Sequence, residues 1–270
     1  MTKVIAAIDN SAAARPVLEV ARALARVLDA TAEAVHVRED GDVTPRAESE
    51  GAGMPLRIVF GPVGKALAQV VDEPDVAALV MGIRWTPGGA RPVGSVAKEV
   101  ITSVRKPVVL VPAGCPVPYK VNRVLVPLAG DPASTAWLGT TIQIVQARDI
   151  EVIVLHVDAE DSLPAFTDQP QHETETWARE FVARYVPLPQ NAVRLELRVG
   201  EPSEEVLTVA RESQADMIAL SWAQDLSAQR ARVVRRVLER SSVPVMLLTV
   251  IEAEGTALQR RPVESPARLS

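Results

Sequence analysis

This chain states the same pattern twice. Lys3-Val-Ile-Ala-Ala-Ile-Asp9 returns as Arg123-Val-Leu-Val-Pro-Leu-Ala129, and Val35-His36-Val37 returns as Leu155-His156-Val157, each pair 120 residues apart. Gly61 returns as Gly200 and Val80-Met81-Gly82 as Ala219-Leu220-Ser221 at an offset of 139. Val96 to Ile101 and Pro107 return at Val233 and Pro244 at an offset of 137. A repeat of this size is a whole domain and not a solenoid unit. The duplication constrains fold and function together. Both copies must fold alike, so positions at which they differ report on what only one of them does.

The chain is 47% apolar and only 3% aromatic. Its interior must therefore be built from Val, Leu, Ile and Ala, the composition of parallel strands buried on both faces. Two cores of ordinary size are expected, in agreement with the repeat. A net charge of −5 gives no attraction for nucleic acid or an anionic membrane, and no Lys/Arg stripe is interleaved with aromatics. No apolar run approaches the roughly 20 residues of a membrane span, and a strand begins at Lys3 without a basic and apolar leader. A cytoplasmic protein is expected. The single cysteine, Cys115, can build neither a disulfide framework nor a zinc site, and is expected to be an exposed linker thiol.

Along the first copy, short apolar runs predict strands at Val4 to Ile8, Ala32 to Val37, Leu56 to Phe60, Ala77 to Met81 and Val108 to Val111. Helical spacing predicts helices from Ser11 through Leu28, at Val63 to Val71 and at Val96 to Val104. Between Val37 and Pro55 there is no apolar stripe, and Gly41, Pro45, Gly51 and Gly53 break any helix, so a loop is expected there. The second copy predicts strands near Val124 to Leu128, Glu151 to His156, Val193 to Leu197, Met217 to Leu220 and Val245 to Leu248. Its helices are predicted near Ala133 to Gln146, Ser203 to Glu212 and Ser227 to Arg240, with one more carrying Trp177, Phe181 and Tyr185 on one face. Strands alternating with helices give right-handed crossovers. The expected class is α/β, with two tandem doubly wound five-stranded parallel sheets of Rossmann-like type, each with its ligand crevice above the first strand. The domains are expected at 1–113 and 122–250, joined by a proline-stiffened linker at 114–121 and followed by a polar, disordered tail at 251–270.

Chemistry is expected at the carboxyl ends of the strands. Strand one ends in Asp9-Asn10-Ser11, a carboxylate followed by a hydroxyl at a helix start; capping of that helix is the plainer use of both. After strand four, the loop Ile83 to Val93 leads into Gly94-Ser95, where helix N–H groups and a hydroxyl can face an anion at close range. Phosphate is the natural ligand of such a place. Gly61-Pro-Val-Gly-Lys65 is not a P-loop, since the spacing between glycines is too short and Ala66 follows the lysine; it reads as a strand-to-helix turn. His36 and His156 hold equivalent places in both copies and read as a shared structural feature. His172, Arg84 and Arg91 read as solvated. No nucleophile has an evident base, and no metal-ligand spacing occurs.

These motifs resemble the universal stress protein family in its tandem form, over Thr2 to about Val250. The likeness is carried by the Asp9-x-Ser11 turn, by Val35-His36-Val37, by Leu79-Val-Met-Gly82 followed by Gly94-Ser95-Val96-Ala97, and by Lys106-Pro-Val-Val-Leu-Val111. The resemblance implies an adenine nucleotide alpha hydrolase-like fold and an ATP site, with Mg²⁺, in the first copy. Asp9, Ser11 and Val37 would lie near adenine and ribose, and Gly82, Gly94, Ser95 and Val96 near ribose and phosphates. It also implies that the two final strands pair, forming an intrachain pseudo-dimer. The loop departs from the family pattern: Trp85 stands at its middle glycine, and eight residues rather than nine separate Trp85 from Gly94. In the second copy the corresponding positions are Ala129, Ser221, Gln224, Ala231 and Arg232, a set that has lost the aspartate and the glycines.

Three functions follow. The first is a regulatory, non-catalytic stress protein holding ATP in its first domain. The second is a nucleotide-free interaction module, its crevice closed by Trp85. The third is an adenylating ligase of related fold, which is disfavoured because Asp9-Asn-Ser-Ala-Ala13 lacks the glycines of such a turn. With its second helix replaced by a loop, the first domain is expected to leave a sheet face near Ala34 and Ile58 for a second chain to cover, which makes a homodimer an expectation.

Overall fold

The structure is a computed structural model describing residues 1–11, 13–38, 49–50, 52–83, 94–128, 148–158, 193–225 and 231–249. The apolar runs form β1 (Lys3–Ala7), β2 (Thr31–Arg38), β3 (Leu56–Phe60), β4 (Val76–Ile83) and β5 (Val108–Pro112), then β6 (Arg123–Pro127), β7 (Glu151–Asp158), β8 (Val193–Val199), β9 (Met217–Trp222) and β10 (Val245–Thr249). Among the described residues the helices are α1 (Ala14–Leu28), α2 (Val63–Asp72), α3 (Ser95–Ser103), α4 (Pro202–Glu212) and α5 (Ala231–Arg240). The helices predicted at 133–146 and around Trp177, and the tail at 251–270, lie outside the described residues. Pro16 falls in the first turn of α1, where its missing N–H removes no helical bond.

All ten strands join one sheet in the order β3-β2-β1-β4-β5-β10-β9-β6-β7-β8. Within each half the neighbours are parallel and the strand order reverses at the first strand, β1 or β6. At the centre β5 and β10 pair antiparallel, Leu110 opposite Val245 and Val109 opposite Met246. That one antiparallel pair turns the halves opposite ways. The carboxyl ends of one half's strands stand level with the amino ends of the other's.

The repeat is also visible in its turns. Gly61 and Gly200 each follow an outer strand with φ of 124° and 149°, a conformation that only glycine takes without strain. Gly61 and Pro62 lead directly from β3 into α2, so this segment is a strand-to-helix turn.

The interior divides in a way the repeat does not foretell. Two apolar clusters are present, but each runs across both halves, and the sheet separates them. One packs α2, α3, α4 and α5 on a face that includes Ile5, Leu110, Leu125 and Ile218. The other packs α1 on the opposite face, with Val4, Val109, Val124 and Met217. Edge pairing at β5 and β10 makes this so, because a continuous sheet has two faces and not two domains' worth of separate interiors.

Two expectations are corrected here. Ser49 to Met54, expected as loop, contains a hydrogen-bonded turn: Met54 N–H donates to the Ser49 carbonyl at 3.0 Å, and Ser49 Oγ donates to the Met54 carbonyl at 2.6 Å. Ala52 and Met54 are buried in the same cluster as Ala34, which is fully inaccessible. The chain thus covers its own face at Ala34, whereas Ile58 on the same face is only half-buried and Phe60 beside it is 73% exposed. Cys115, expected as an exposed thiol, is 5% exposed. Its linker packs against the sheet, Tyr119 Oη donating to the Asp216 carbonyl at 2.6 Å, and burial pushes the Cys115 thiol up to about 11. Such a thiol is protonated and unreactive at neutral pH.

At the amino ends of the first half's strands, Arg57 meets Glu73 through two nitrogens, at 3.0 and 2.8 Å. Lys3 lies 3.1 to 3.4 Å from Glu33, Glu73 and Asp75. The Arg57 guanidinium, aided by Lys3, holds the Glu73 carboxyl below its usual 4.5. A carboxylate lowered on folding stabilises the fold fully above its unfolded value and loses that contribution as pH falls through the folded value. Glu73→Gln is therefore expected to lower stability at about pH 7, by an amount that shrinks as the pH falls through the folded carboxyl's lowered range, as read by urea denaturation along that series.

Candidate functional site

The crevice is laid out by the reversal at β1. Ile8, just past β1, donates its N–H to the Val35 carbonyl at 2.9 Å, and its own carbonyl lies 3.0 Å from His36 Nδ1. A carbonyl only accepts, so Nδ1 carries the proton. The second half repeats this with Leu128 N–H on Leu155 at 2.8 Å and His156 Nδ1 on Leu128 at 3.2 Å. Both histidines fasten the end of a first strand to its neighbour, which is the structural role expected from their recurrence.

Beyond Ile8 the chain turns into α1. Asp9 Oδ1 accepts the Ser11 N–H at 2.9 Å, Ser11 Oγ accepts the Ala13 N–H at 3.3 Å, and the Ser11 carbonyl accepts the Ala14 N–H at 3.1 Å. Asp9 and Ser11 thus order the turn that enters α1, and the Ser11 carbonyl satisfies the first N–H of the helix, which no side chain caps. Gly82 lies across from this turn. A Cβ on Gly82 would stand 3.1 Å from Ala13 Cβ, so glycine lets α1 seat closely on β4. Val37, near the end of β2, is 7% exposed with its side chain in the core, which leaves its backbone as the group available to a ligand.

Gly94 behaves differently. It caps α3 with φ −53° and ψ 151°, a conformation any residue adopts, and a Cβ there would meet nothing within 4 Å among the described residues. Neither its backbone nor its packing against those residues demands glycine. It makes no side-chain cap, and no acidic residue stands in the first turn of α3, so the positive end of that helix is not neutralised locally. Ser95 is exposed and Val96 half-buried against the core. The strands β1, β2 and β4 bring Asp9, Ser11, Val37 and Gly82 to one edge of the sheet, and α3 starts from that same edge because it follows β4. Arg84, Trp85 and Arg91, in the loop 84–93, lie outside the described residues.

At the described positions the second half is more tightly filled than the first, where Gly94 and Ser95 are exposed. Ala231, in the place of Gly94, is 2% exposed, and Arg232, in the place of Ser95, lies 3.7 Å from Glu201. Sequence comparison read Gln224 only as a lost glycine. In the structure Gln224 keeps the left-handed backbone of a glycine, φ 60°, and its Nε2 donates to the Val104 carbonyl at 2.8 Å, while Trp222 Nε1 donates to the Ile101 carbonyl at 2.8 Å. Both acceptors belong to the first half. Among the described residues no helix is long and apolar enough to cross a membrane, and no group of three or more His, Cys, Asp or Glu could hold a metal ion.

Among solved structures, that of a universal stress protein from Archaeoglobus fulgidus is similar at a TM-score of 0.64 and 17% identity, covering 92% of this chain and 98% of that one. A functionally unknown protein from Pseudomonas aeruginosa is similar at 0.68 and 11% identity, covering 93% of each. At these identities the likeness is one of fold. A search of curated protein sequences gives no match. The sequence profile of the universal stress protein family matches residues 42–112 and 120–249. Those segments span well over half of the chain, one in each half of the sheet, and the chain belongs to the universal stress protein family.

Proposed function

We propose that this is a non-catalytic regulator of the stress response, acting in the cytoplasm, that binds one ATP with Mg²⁺ in its first domain, residues 1–113, while the second, residues 122–250, binds none. The single observation that carries this reading is Gly94. A glycine that neither its backbone angles nor the described residues around it require, at an uncapped helix start on the ligand edge of a doubly wound sheet, is explained by an anion that must approach the backbone. Ser95 adds a hydroxyl and Asp9 a carboxylate on the ribose side. This set of groups holds and orients a nucleotide. The halves pair through β5 and β10 as the subunits of a dimer would, so one chain forms the unit.

Calorimetry with ATP and Mg²⁺ on the intact chain tests the proposal. Saturable uptake of about one nucleotide per chain is expected, weakened in Gly94→Ala and lost in Gly94→Trp, with both variants folded because a Cβ at 94 meets nothing within 4 Å among the described residues. A specific observation favours the alternative, a nucleotide-free interaction module: Asp9, Ser11 and Gly82 each serve the entry of α1. Silence at millimolar nucleotide selects that alternative.

A further inference from the structure

Helix α3 is tied to different partners at its two ends. Its amino end, Gly94 and Ser95, is the proposed phosphate side of the crevice. Its carboxyl end has no basic residue in the last turn, and the Ile101 carbonyl lies among the last four, which no helical N–H can reach. The second half supplies the missing donors. Trp222, 3% exposed, gives its indole N–H to the Ile101 carbonyl, and Gln224 gives its amide N–H to the Val104 carbonyl, each at 2.8 Å.

The contact is a consequence of the antiparallel junction. Because β5 and β10 run oppositely, the carboxyl end of β9 arrives level with the amino ends of the first half's strands, where α3 terminates. The residues that reach across come from the segment that would have cradled phosphate in the second half. By the offset of the repeat, Trp222 matches Ile83, which is buried in the core and has no side-chain donor to return the contact. Among the described residues the tie runs from the degenerate half to the half that keeps its glycine; Trp85, the counterpart of Gln224, lies outside them.

We propose that Trp222 and Gln224 are positioning residues for the first half's crevice: by capping the carboxyl end of α3 they fix the helix whose amino end meets the ligand, so the second half regulates a site it no longer contains. This rests on the nucleotide reading above for its ligand. A helix of nine residues is about 13 Å long and moves as one body, so release at one end is felt at the other. Coupling of two sites through one rigid element is reciprocal: what the clamp does for the nucleotide, the nucleotide does for the clamp.

The test compares the full-length chain with the double variant Trp222→Phe and Gln224→Gly. The first change keeps an aromatic ring but removes the N–H donor together with the pyrrole part of the indole, and the second removes a donor at a backbone conformation glycine accepts, so Gln224→Gly alone separates the lost donor from the lost volume. The single Gln224→Gly variant, at a half-buried position, serves if the double variant does not fold. Two amides are followed by hydrogen exchange: Val104, bonded to Val100, at the clamped end and Lys98, bonded to Gly94, at the ligand end. Exchange at Lys98 is expected to rise about tenfold and affinity for ATP with Mg²⁺ to fall about fivefold to tenfold, while saturating ATP slows exchange at Val104 in the parent and not in the variant. Faster exchange at Val104 with Lys98 and the affinity unchanged overturns the proposal, as does a change at Lys98 without one in the affinity of a chain that binds. If the parent takes up no ATP, the nucleotide reading alone fails, and exchange at Lys98 decides whether the second half positions α3.

Discussion

Replacing Leu110 by Ala is expected to destabilise the protein by about 3 kcal/mol and to weaken both halves together. Leu110 is fully buried on β5, opposite Met81 of β4 on one side and Val245 of β10 on the other. Its side chain belongs to the cluster that also holds Leu125, Ile153 and Ile218 of the second half. Removing three methyl-sized groups from such a place loses their transfer energy and leaves a cavity that neighbours fixed in a ten-stranded sheet cannot collapse to fill. Were the halves independent domains, only the first would respond. With a shared interior, amide exchange in β2 and in β7 should accelerate in parallel, and urea unfolding should remain one transition with a lower midpoint. Unfolding in two steps, with only the first displaced, would overturn the shared core. A comparison at Val59→Ala, on the half-buried outer strand β3, is expected to cost about 1 kcal/mol or less.

What could be read in the sequence follows from how far apart the causes lie. Every strand was visible, most as local apolar runs and β8 as an alternation of apolar with charged residues, and the doubling made each half a check on the other. The reversal at β1 followed from strand and helix order alone, and with it the edge on which Asp9, Gly82 and Gly94 gather. Local rules were blind to the turn at Ser49 to Met54, where Ala52 and Met54 straddle Gly53 and show no period. They also missed the burial of Cys115, since the linker's polar and proline-rich neighbours look like surface. At the site, the positions of Asp9 and Ser11 were legible, and so was their plainer use, a local partner at the start of α1. Trp222 and Gln224 were least accessible of all. Their acceptors are backbone carbonyls 121 and 120 residues away, and a carbonyl has no signature in a sequence. The one available clue was a glutamine where the family pattern has a glycine: a residue tolerated at positive φ must gain something from its side chain to compensate for the strain.

His36→Ala is expected to cost about 3 kcal/mol, more than the same change at His156, and to leave the choice of ligand untouched. His36 is 1% exposed and its Nδ1–H meets the Ile8 carbonyl at 3.0 Å; His156 is half-buried and its bond is 3.2 Å. Alanine at 36 leaves a buried carbonyl short of a donor and a cavity the size of an imidazole between β2 and the end of β1, two effects that add. At the more accessible 156, water can reach the Leu128 carbonyl and replace part of what is lost. His36→Gln, which keeps an N–H able to reach the carbonyl, should recover part of the loss, whereas His36→Leu should restore volume but not the bond. Thermal unfolding of the four variants gives the order, and calorimetry of the folded protein gives nucleotide uptake. A histidine that only fastens β1 to β2 moves stability and leaves affinity nearly constant. A fall in affinity without a fall in stability would instead make His36 part of the ligand's surroundings and reverse the reading drawn from its twin.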